Sequence, residues 1–291
     1  MIFVSVLFST ILAATTVISP LSNSPIPLNV FVNIPATSFG SLMTPVPSPT
    51  PTPRKVEQPK IFNTAKPQYT IALLGDSMID TLGSGVPNIN RNLIKLFPKT
   101  SFILLNYGVG ATNIDYGIER LTNSYTYLGV TYPSLVSQNP DVVVVESFGY
   151  NPYASSEGAI DKHWLALAKI VDILRKNIPT VKIIIAATIA PNSFVFGNGA
   201  PGITLNLIEK FERTLTIKSY LENTVRFAKS EHLPLADAYH PSLDILGNGK
   251  LRYINAGDHI HYSEAGREFF AEIVVNAILI NHIFRETPLA L

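Results

Sequence analysis

The chain has 291 residues, a formal net charge of +1 and a hydrophobic content of 46%. This length allows one domain of about 200 residues with a full core, together with an additional segment. The near-neutral charge argues against a nucleic-acid partner, because such binding needs a basic surface that displaces counterions from the phosphates. The sequence contains no cysteine, which excludes disulfides, thiolate metal sites and a cysteine nucleophile.

The N-terminal segment is apolar and uncharged, and the first charged residue is Arg54. Residues Ile2–Ile18 form an apolar run of 17 residues, short for a membrane-spanning helix and long for the core of a signal peptide. Neither a basic stretch before the run nor a clear small-residue cleavage site after it is present. We expect residues 1–18 to be a signal peptide or, if uncleaved, a membrane anchor. Either one predicts an extracytoplasmic protein, secreted or tethered to the membrane or cell surface.

Residues 19–68 are rich in Pro, Ser, Thr and Asn, and 11 of the 22 prolines lie before residue 70. Prolines at every second position, as in Pro45–Pro53, favour extended polyproline II and exclude a helix or a central strand. We interpret this stretch as a semi-rigid linker. A proline-rich ligand for another domain fits less well, since Arg54 and Lys55 are the only basic residues beside it.

From Tyr69 onward, apolar strands alternate with amphipathic helices, the pattern of a parallel sheet covered on both faces. Each candidate strand is a short β-branched or aliphatic run. The five predicted strands are Thr70–Leu74, Ser101–Asn106, Asp141–Glu146, Val181–Ala187 and Leu233–Ala236. The clearest predicted helices are Glu157–Lys176, Leu207–Ser230 and Ser263–His282. The pattern therefore predicts an α/β domain over residues 69–285.

Ser77 follows the first predicted strand, which ends in Leu74-Gly75-Asp76. A serine just beyond the carboxyl end of a parallel strand lies where such sheets bind ligands. At the start of a following helix, its backbone N–H can also meet an anion. An ordinary helix cap, with Ser77 capping and Asp80 three positions later, explains the same residues equally well.

Three further segments favour the functional interpretation. A glycine-containing turn, Asn106–Thr112, follows the second strand, and Gly149-Tyr150-Asn151 brings an amide after the third. In the loop before the last helix, Asp258 precedes His261 by three residues. That spacing lets the carboxylate hold the imidazole Nδ1 and leaves Nε2 free to take a proton from a serine.

Read together, Gly75-Asp76-Ser77, the Asn106–Thr112 turn, Gly149-x-Asn151 and Asp258-x-x-His261 resemble the ordered sequence blocks of the GDSL/SGNH hydrolases. The resemblance extends over roughly residues 69–284. It implies a three-layer α/β/α fold of flavodoxin-like order with a five-stranded parallel sheet. It also implies an enzyme that hydrolyses esters without a cofactor.

The resemblance implies a role for each matching residue. Ser77 would be the nucleophile, His261 the general base and acid, and Asp258 the group that orients the imidazole. The oxyanion hole would combine the backbone N–H groups of Ser77 and Gly110 with the side-chain amide of Asn151.

Two departures from the family pattern affect the oxyanion hole. The glycine turn is one residue shorter than the pattern, so the second donor could instead be Gly108 or Ala111. Pro152 follows Asn151 where an aspartate often stands, which puts the rotamer of the asparagine in doubt.

Two other motifs have formal functional matches that their surroundings do not support. The segment Gly197–Gly202 (GNGAPG) formally matches a dinucleotide-binding fingerprint, but Pro201 interrupts it and it lies far from the preceding strand. We therefore interpret it as a flexible loop bordering the cleft. His259 and His261 beside Asp258 suggest a metal, but no third ligand stands out and we expect no metal. His259 as the base is less favoured, because only His261 stands three residues after Asp258.

Four further titratable residues have structural interpretations. His163, His232 and His240 look like lone histidines with structural roles. Glu146, at the end of the third strand, is interpreted as a solvated or hydrogen-bonded carboxylate.

The sequence favours hydrolysis through an acyl-enzyme on Ser77, with a small-molecule or polysaccharide ester, such as a carbohydrate O-acetyl ester, as substrate. A lysophospholipase, a thioesterase or an O-acyltransferase would use the same triad, and a non-catalytic surface binding module is a further alternative. We expect specificity to lie in the loops Gly83–Asn90, Pro191–Gly202 and His240–Asn255. If residues 2–18 are uncleaved, the protein would also associate with a membrane.

Overall fold

The computed structural model describes residues 61–154, 157–284 and 287–288. At its centre lies a five-stranded parallel sheet with the strand order β2-β1-β3-β4-β5. The strands are β1 (Gln68–Gly75), β2 (Ser101–Gly108), β3 (Val142–Glu146), β4 (Lys182–Ala187) and β5 (Leu235–Asp237). The flavodoxin-like order is confirmed, and each predicted strand is present with ends that differ by at most two residues.

Helices cover the sheet and connect its strands. They are α1 (Ser77–Asp80), α2 (Pro87–Leu96), α3 (Ile114–Thr122), α4 (Ala159–Asn177), α5 (Leu207–Ser230), α6 (Tyr239–Ser242) and α7 (Glu264–Ile280). Short 3-10 turns occupy Leu135–Gln138 and Leu251–Tyr253, and a two-stranded hairpin joins Tyr125–Tyr127 to Val130–Tyr132. The three predicted helices correspond to α4, α5 and α7.

The central strands are buried on both faces because their side chains alternate between two hydrophobic clusters. In β1, Ile71 and Leu73 belong to the cluster that includes α2 and α7, whereas Ala72 and Leu74 belong to the cluster that includes α3 and α4. All five residues of β3 are buried. The result is the three-layer arrangement implied by the sequence, with the core on either side of a nearly continuous apolar sheet.

Residues 61–67 contact the domain, although their composition placed them in the linker. Phe62–Asn63 pairs with Thr287–Pro288, and the backbone N–H of Ala65 donates to the carbonyl of Phe284 at 3.1 Å. Residues 1–60, with the apolar run and most of the predicted linker, lie outside the described residues. Within the described part of the chain, no helix combines the length and apolarity needed to cross a membrane.

Candidate active site

A cavity of about 1350 Å³ lies beside the first turn of α1, beyond the carboxyl end of β1. Ser77, Gly110, Asn151 and His261, which come from four separate segments, all line it. The cavity thus collects the segments that the sequence had placed at the ends of successive elements. Asp258, the remaining predicted residue, lies behind His261 and contacts its imidazole.

Ser77 is the first residue of α1, and Asp76 rather than Ser77 is its N-cap. The carboxylate of Asp76 accepts the backbone N–H of Met78 at 2.8 Å. The alternative that Ser77 is the capping residue is therefore wrong, and its hydroxyl is not committed to that bond. Gly75 allows the tight turn, because a Cβ there would lie 2.3 Å from Cγ1 of Ile79.

Asp258 holds His261 in one orientation. Its Oδ2 lies 2.8 Å from Nδ1 of His261, and its Oδ1 accepts the backbone N–H groups of Ile260 and His261 at 2.8 and 3.1 Å. Burial alone would raise the pKa of Asp258, but the hydrogen bonds from His261 and the two N–H groups outweigh it, and the pKa lies below its usual value. An ionised Asp258 fixes the proton on Nδ1 and leaves Nε2 as the basic nitrogen.

His259 is directed elsewhere. Its Nδ1 lies 2.8 Å from the carbonyl oxygen of Asn198, and the residue has a positive φ of 53°. It is not among the residues that line the cavity, whereas His261 is. The structure thus favours His261 over His259 as the base. No cluster of three His, Cys, Asp or Glu side chains suited to a metal occurs among the residues that the structure describes.

Asn151 is held by a buried carboxylate. Its side-chain Nδ2 donates to Oδ2 of Asp76 at 2.9 Å, so the residue that caps α1 also fixes the amide of the third segment. Pro152 therefore does not leave this side chain without support. Asp76 thus links the first turn of α1, through the N–H of Met78, to Asn151 by one fully buried carboxylate.

The second backbone donor is the part of the site that differs most from expectation. The N–H of Gly110 donates to the hydroxyl of Tyr127 at 3.2 Å, and this hydroxyl donates to Oδ2 of Asp80 at 2.8 Å. Gly110 and Ala111 line the cavity, so both remain candidates. Gly108 does not line the cavity and is not a candidate. Its N–H donates to Oδ1 of Asn106 at 2.8 Å, and a Cβ on it would lie 2.1 Å from the backbone nitrogen of Asp80.

Arg120 is a functional neighbour that sequence reasoning missed. It is only 1% exposed, and its guanidinium donates to the carbonyl of Gly75 at 2.8 Å and to the hydroxyl of Thr112 at 3.2 Å. It thereby ties the turn before Ser77 to the turn that carries Gly110. The sequence contained a signal for its burial, because Arg120 follows Gly117 by three positions and so lies on the buried stripe of α3.

Glu146 forms the floor beneath this turn. It is fully buried, its Oε1 accepts the hydroxyl of Ser147 at 2.5 Å and its Oε2 accepts the backbone N–H of Asp76 at 3.3 Å. Burial, and then the nearby charge of Asp76, raise the pKa of Glu146 well above its usual value. Burial raises the pKa of Asp76 as well, against the hydrogen bonds from Met78 and Asn151. We conclude that Glu146 is hydrogen-bonded rather than solvated.

Two of the histidines assigned structural roles behave differently from one another. His163 is buried, with Nε2 2.8 Å from the carbonyl of Ser147, and burial lowers its pKa to about 4, so it is neutral. His240 is not a lone histidine: its Nδ1 lies 2.7 Å from Oδ2 of Asp237 and its Nε2 lies 3.2 Å from Oε2 of Glu222. The description of His240 as lone was wrong, because Asp237 and Glu222 approach it from a strand end and a helix.

The glycine-rich segment after β4 does border the cavity, which Gly202 lines. Gly197, Gly199 and Gly202 all have φ between 74° and 84°, which accounts for their residue type. A Cβ on Gly199 would also lie 2.3 Å from the carbonyl oxygen of Gly257. Loop conformation thus explains these glycines.

No protein-family model matches the chain, and no curated protein matches its sequence. Solved structures do match. A GDSL-like lipase from Bacteroides thetaiotaomicron aligns over 73% of this chain and 89% of its own length, with a TM-score of 0.53 and 13% identity. The acetyl xylan esterase AlAXEase aligns over 72% of this chain and 99% of its own, with a TM-score of 0.51 and 17% identity.

A variant of an acetyl-xylooligosaccharide esterase from Geobacillus aligns over 72% of this chain and 94% of its own, with a TM-score of 0.50 and 16% identity. The chain therefore has the fold of the GDSL/SGNH hydrolases. The resemblance inferred from four short sequence segments is confirmed at the level of the fold.

Proposed function

We propose that this protein is an extracytoplasmic serine ester hydrolase that acts through an acyl-enzyme on Ser77. One observation carries the proposal: Ser77, Asn151 and His261 line a single cavity, and Asp258 lies 2.8 Å behind the imidazole of His261. These are the parts that acyl transfer needs, namely a nucleophile, a base with its orienting carboxylate, and an amide donor.

In the first half of the reaction, Oγ of Ser77 attacks the ester carbonyl carbon while Nε2 of His261 takes the hydroxyl proton. Ionised Asp258 stabilises the imidazolium that forms. The tetrahedral intermediate collapses, the carbon–oxygen bond to the alcohol breaks, and His261 returns its proton to the leaving alkoxide. In the second half, water attacks the acyl-enzyme with His261 again as base, and Ser77 regains its proton as the acid leaves.

The negative oxygen of the intermediate would be stabilised by the N–H of Ser77 at the start of α1 and the amide of Asn151. A backbone N–H from Gly110 or Ala111 completes the set. In the structure, the N–H of Gly110 donates to the hydroxyl of Tyr127. It can stabilise the substrate oxygen only after that oxygen has replaced the hydroxyl. Each donor in such a hole contributes about 100- to 1000-fold in rate.

Two substrate classes follow from different observations. Carbohydrate O-acetyl esters, for example on wall or capsule polysaccharide, are supported by two solved structures of the same fold that are acetyl xylan or acetyl-xylooligosaccharide esterases. Lipid esters are supported by exposed apolar side chains such as Phe211 and Leu215, the second of which lines the cavity. A panel of p-nitrophenyl esters of rising acyl length separates a preference for acetyl from a preference for long chains.

The extracytoplasmic location is supported by the uncharged N-terminal segment alone. The apolar run Ile2–Ile18 would direct export or anchor the chain, and the proline-rich stretch after it would hold the domain away from the membrane. Fractionation of cells that express the full chain, with and without residues 1–18, tests this. Equal amounts of both chains in the cytoplasm would contradict it.

The nucleophile is tested by the variant Ser77→Ala. We expect loss of p-nitrophenyl acetate hydrolysis and of covalent labelling by a serine-directed fluorophosphonate. The matched control is Ser137→Ala, an exposed serine in a 3-10 turn, which should keep both. Retained hydrolysis and labelling in Ser77→Ala would show that another group is the nucleophile.

A further inference from the structure

Seven large apolar side chains, each more than half exposed, are concentrated in two stretches of the chain that follow β4 and α6. We call them the apolar rim; they are Phe194, Leu207, Ile208, Phe211, Leu215, Ile245 and Leu246. Ile245 is fully exposed and Leu246 is 73% exposed, at a turn that Gly247 closes with a φ of 75°. Groups of exposed apolar side chains of this size mark binding surfaces in soluble proteins.

Hydrogen bonds hold the segments that carry these side chains against one another. The Nζ of Lys218, on α5, donates to the carbonyl of Gly247 at 2.7 Å. The backbone N–H of Ser193 donates to Oδ1 of Asn248 at 3.0 Å. The loop with Ile245 and Leu246 is therefore fixed against both α5 and the segment that carries Phe194.

Within α5, Leu207, Phe211 and Leu215 follow one another at four-residue intervals and form one stripe. The opposite, buried side of the helix contacts the core through residues such as Ile217 and Leu221. This stripe is therefore additional to the apolar face that packs the helix, and core packing does not explain it.

The rim continues into the candidate active site. Leu215 belongs to the rim and also lines the cavity that contains Ser77 and His261. Phe196 and Leu205, from the same loop as Phe194, line that cavity too. An apolar path thus leads from the exposed surface toward the nucleophile.

The charge of this surface indicates what kind of apolar partner it fits. The segments 191–218 and 244–249 carry as many acidic as basic residues: Glu209, Glu212 and Asp244 against Lys210, Arg213 and Lys218. Binding to an anionic lipid surface uses an excess of Lys and Arg, which is missing from these segments. The surface is instead matched to headgroups without net charge.

Elsewhere among the described residues, exposed apolar side chains lie singly or, as with Leu128 and Val130 at the hairpin turn, as a pair. Ile94, Leu165 and Ile280 are exposed on three different helices, α2, α4 and α7. Single exposed residues of this kind are normal on protein surfaces and need no partner. They therefore supply matched controls.

We propose that the apolar rim docks onto the surface of a lipid bilayer whose headgroups are zwitterionic or uncharged, with Ile245 and Leu246 at the point of deepest contact. Docking would place the mouth of the cavity against the lipid, so that an ester-bearing lipid enters along the path past Leu215. The docking itself does not depend on the proposed role of Ser77, and it is measured without turnover.

The absence of cysteine makes the test site-specific, since one introduced cysteine is the only thiol in the chain. Full-length Phe211→Cys and Leu246→Cys proteins, labelled with an environment-sensitive fluorophore, are mixed with phosphatidylcholine vesicles. We expect emission to move to shorter wavelength and quenching by aqueous iodide to fall about fivefold, as for side chains buried at an interface. The control Leu165→Cys, on α4, should change in neither respect.

Each remaining outcome overturns the proposal. If vesicles bind the protein only through residues 2–18, none of the three labels will respond. If the rim is an interface between two copies of the chain, the labels will respond to protein concentration without vesicles. A response that requires phosphatidylglycerol contradicts the assignment of neutral headgroups. Repeating the measurement with Ser77→Ala separates it from the esterase proposal, because docking should be unchanged.

Discussion

The protein contains two Asp-x-x-His pairs with nearly the same local geometry. In one, Oδ2 of Asp258 lies 2.8 Å from Nδ1 of His261, and Oδ1 accepts the histidine N–H at 3.1 Å. In the other, the corresponding distances between Asp237 and His240 are 2.7 and 3.1 Å. The same three-residue spacing thus orients the imidazole in both turns.

The pairs differ in what faces the other ring nitrogen. Nε2 of His240 lies 3.2 Å from a carboxylate oxygen of Glu222, so both nitrogens are engaged by acidic groups. His261 lines the cavity that contains Ser77. The motif orients the imidazole of each histidine, but only the fold places His261 in a cavity with a serine. The His240 pair therefore serves as an internal reference for the effects of changing the His261 pair.

The first prediction compares the two histidines directly. His261→Ala should lower kcat for p-nitrophenyl acetate by about 1000-fold or more, because the serine loses its base. His240→Ala should change kcat less than about twofold, since exposed positions away from a site have small effects. Steady-state kinetics of both purified variants decide it, and comparable losses in both would contradict the functional difference between the pairs.

The second prediction compares the two aspartates. Asp258→Asn should lower kcat by roughly 100- to 10 000-fold, because the amide neither holds the required tautomer nor stabilises the imidazolium. Asp237→Asn keeps the same shape at the reference pair and should leave kcat unchanged. Circular dichroism of both variants checks that they fold, and an Asp258→Asn enzyme with full activity would remove Asp258 from the mechanism.

The third prediction concerns Asn151, which lines the same cavity as His261. Asn151→Ala should lower kcat about 100-fold with little change in KM, since the amide acts on charge that appears in the transition state. Asn281→Ala, an exposed asparagine bonded to the backbone of its own helix, is the control. An increase in KM at constant kcat would indicate that Asn151 binds substrate instead of stabilising the intermediate.

The fourth prediction concerns Tyr127, whose hydroxyl accepts a hydrogen bond from the N–H of Gly110. Tyr127→Phe frees this donor for the substrate oxygen and should raise kcat/KM roughly two- to fivefold, the size of one net hydrogen bond. Tyr132→Phe, in the partner strand of the same hairpin, controls for changes in the hairpin. A tenfold loss in Tyr127→Phe would mean that the hydroxyl itself takes part in binding or catalysis.

Much of the fold was predictable because its central strands are buried on both faces. Runs such as Val142–Glu146 have no other place in a soluble domain, and their order followed from the resemblance. Ser77, Asn151 and the Asp258/His261 pair were predictable for a related reason: short-range spacing and strand ends determine where they lie. Asp237 and His240 have the same spacing as Asp258 and His261, so the partner of His240 was predictable from the sequence as well.

The rest of the site depends on long-range contacts that local patterns do not contain. Helical spacing places Arg120 on the buried stripe of α3, but its bond to the carbonyl of Gly75 joins residues 45 positions apart. Tyr127 reaches Gly110 from a hairpin 17 residues further along the chain. Glu146 ends an apolar strand, yet burial and then the nearby charge of Asp76, which only the assembled core brings close, raise the pKa of its carboxyl.

The last prediction concerns the stability of the two pairs, where the expected difference is smallest. The pKa of Asp258 is lowered in the folded protein, mainly through its hydrogen bonds with His261 and two backbone N–H groups acting against burial. A carboxyl with a lowered folded pKa contributes stability above its unfolded pKa, near 3.9, and loses it as pH falls through the folded value. Asp258→Asn should therefore lower Tm at pH 7 by roughly 2–4 °C, about 1 kcal/mol, and the difference should shrink below pH 4.

Asp237→Asn should lower Tm by less than about 1 °C at pH 7, because the His240 side chain is 44% exposed against 24% for His261, and exposed pairs contribute little. Differential scanning calorimetry of both variants between pH 3 and 7 measures this. A Tm difference for Asp258→Asn that grows as the pH falls would show that its carboxylate is destabilising, and that the close pairing with His261 is retained for catalysis at a cost to the fold.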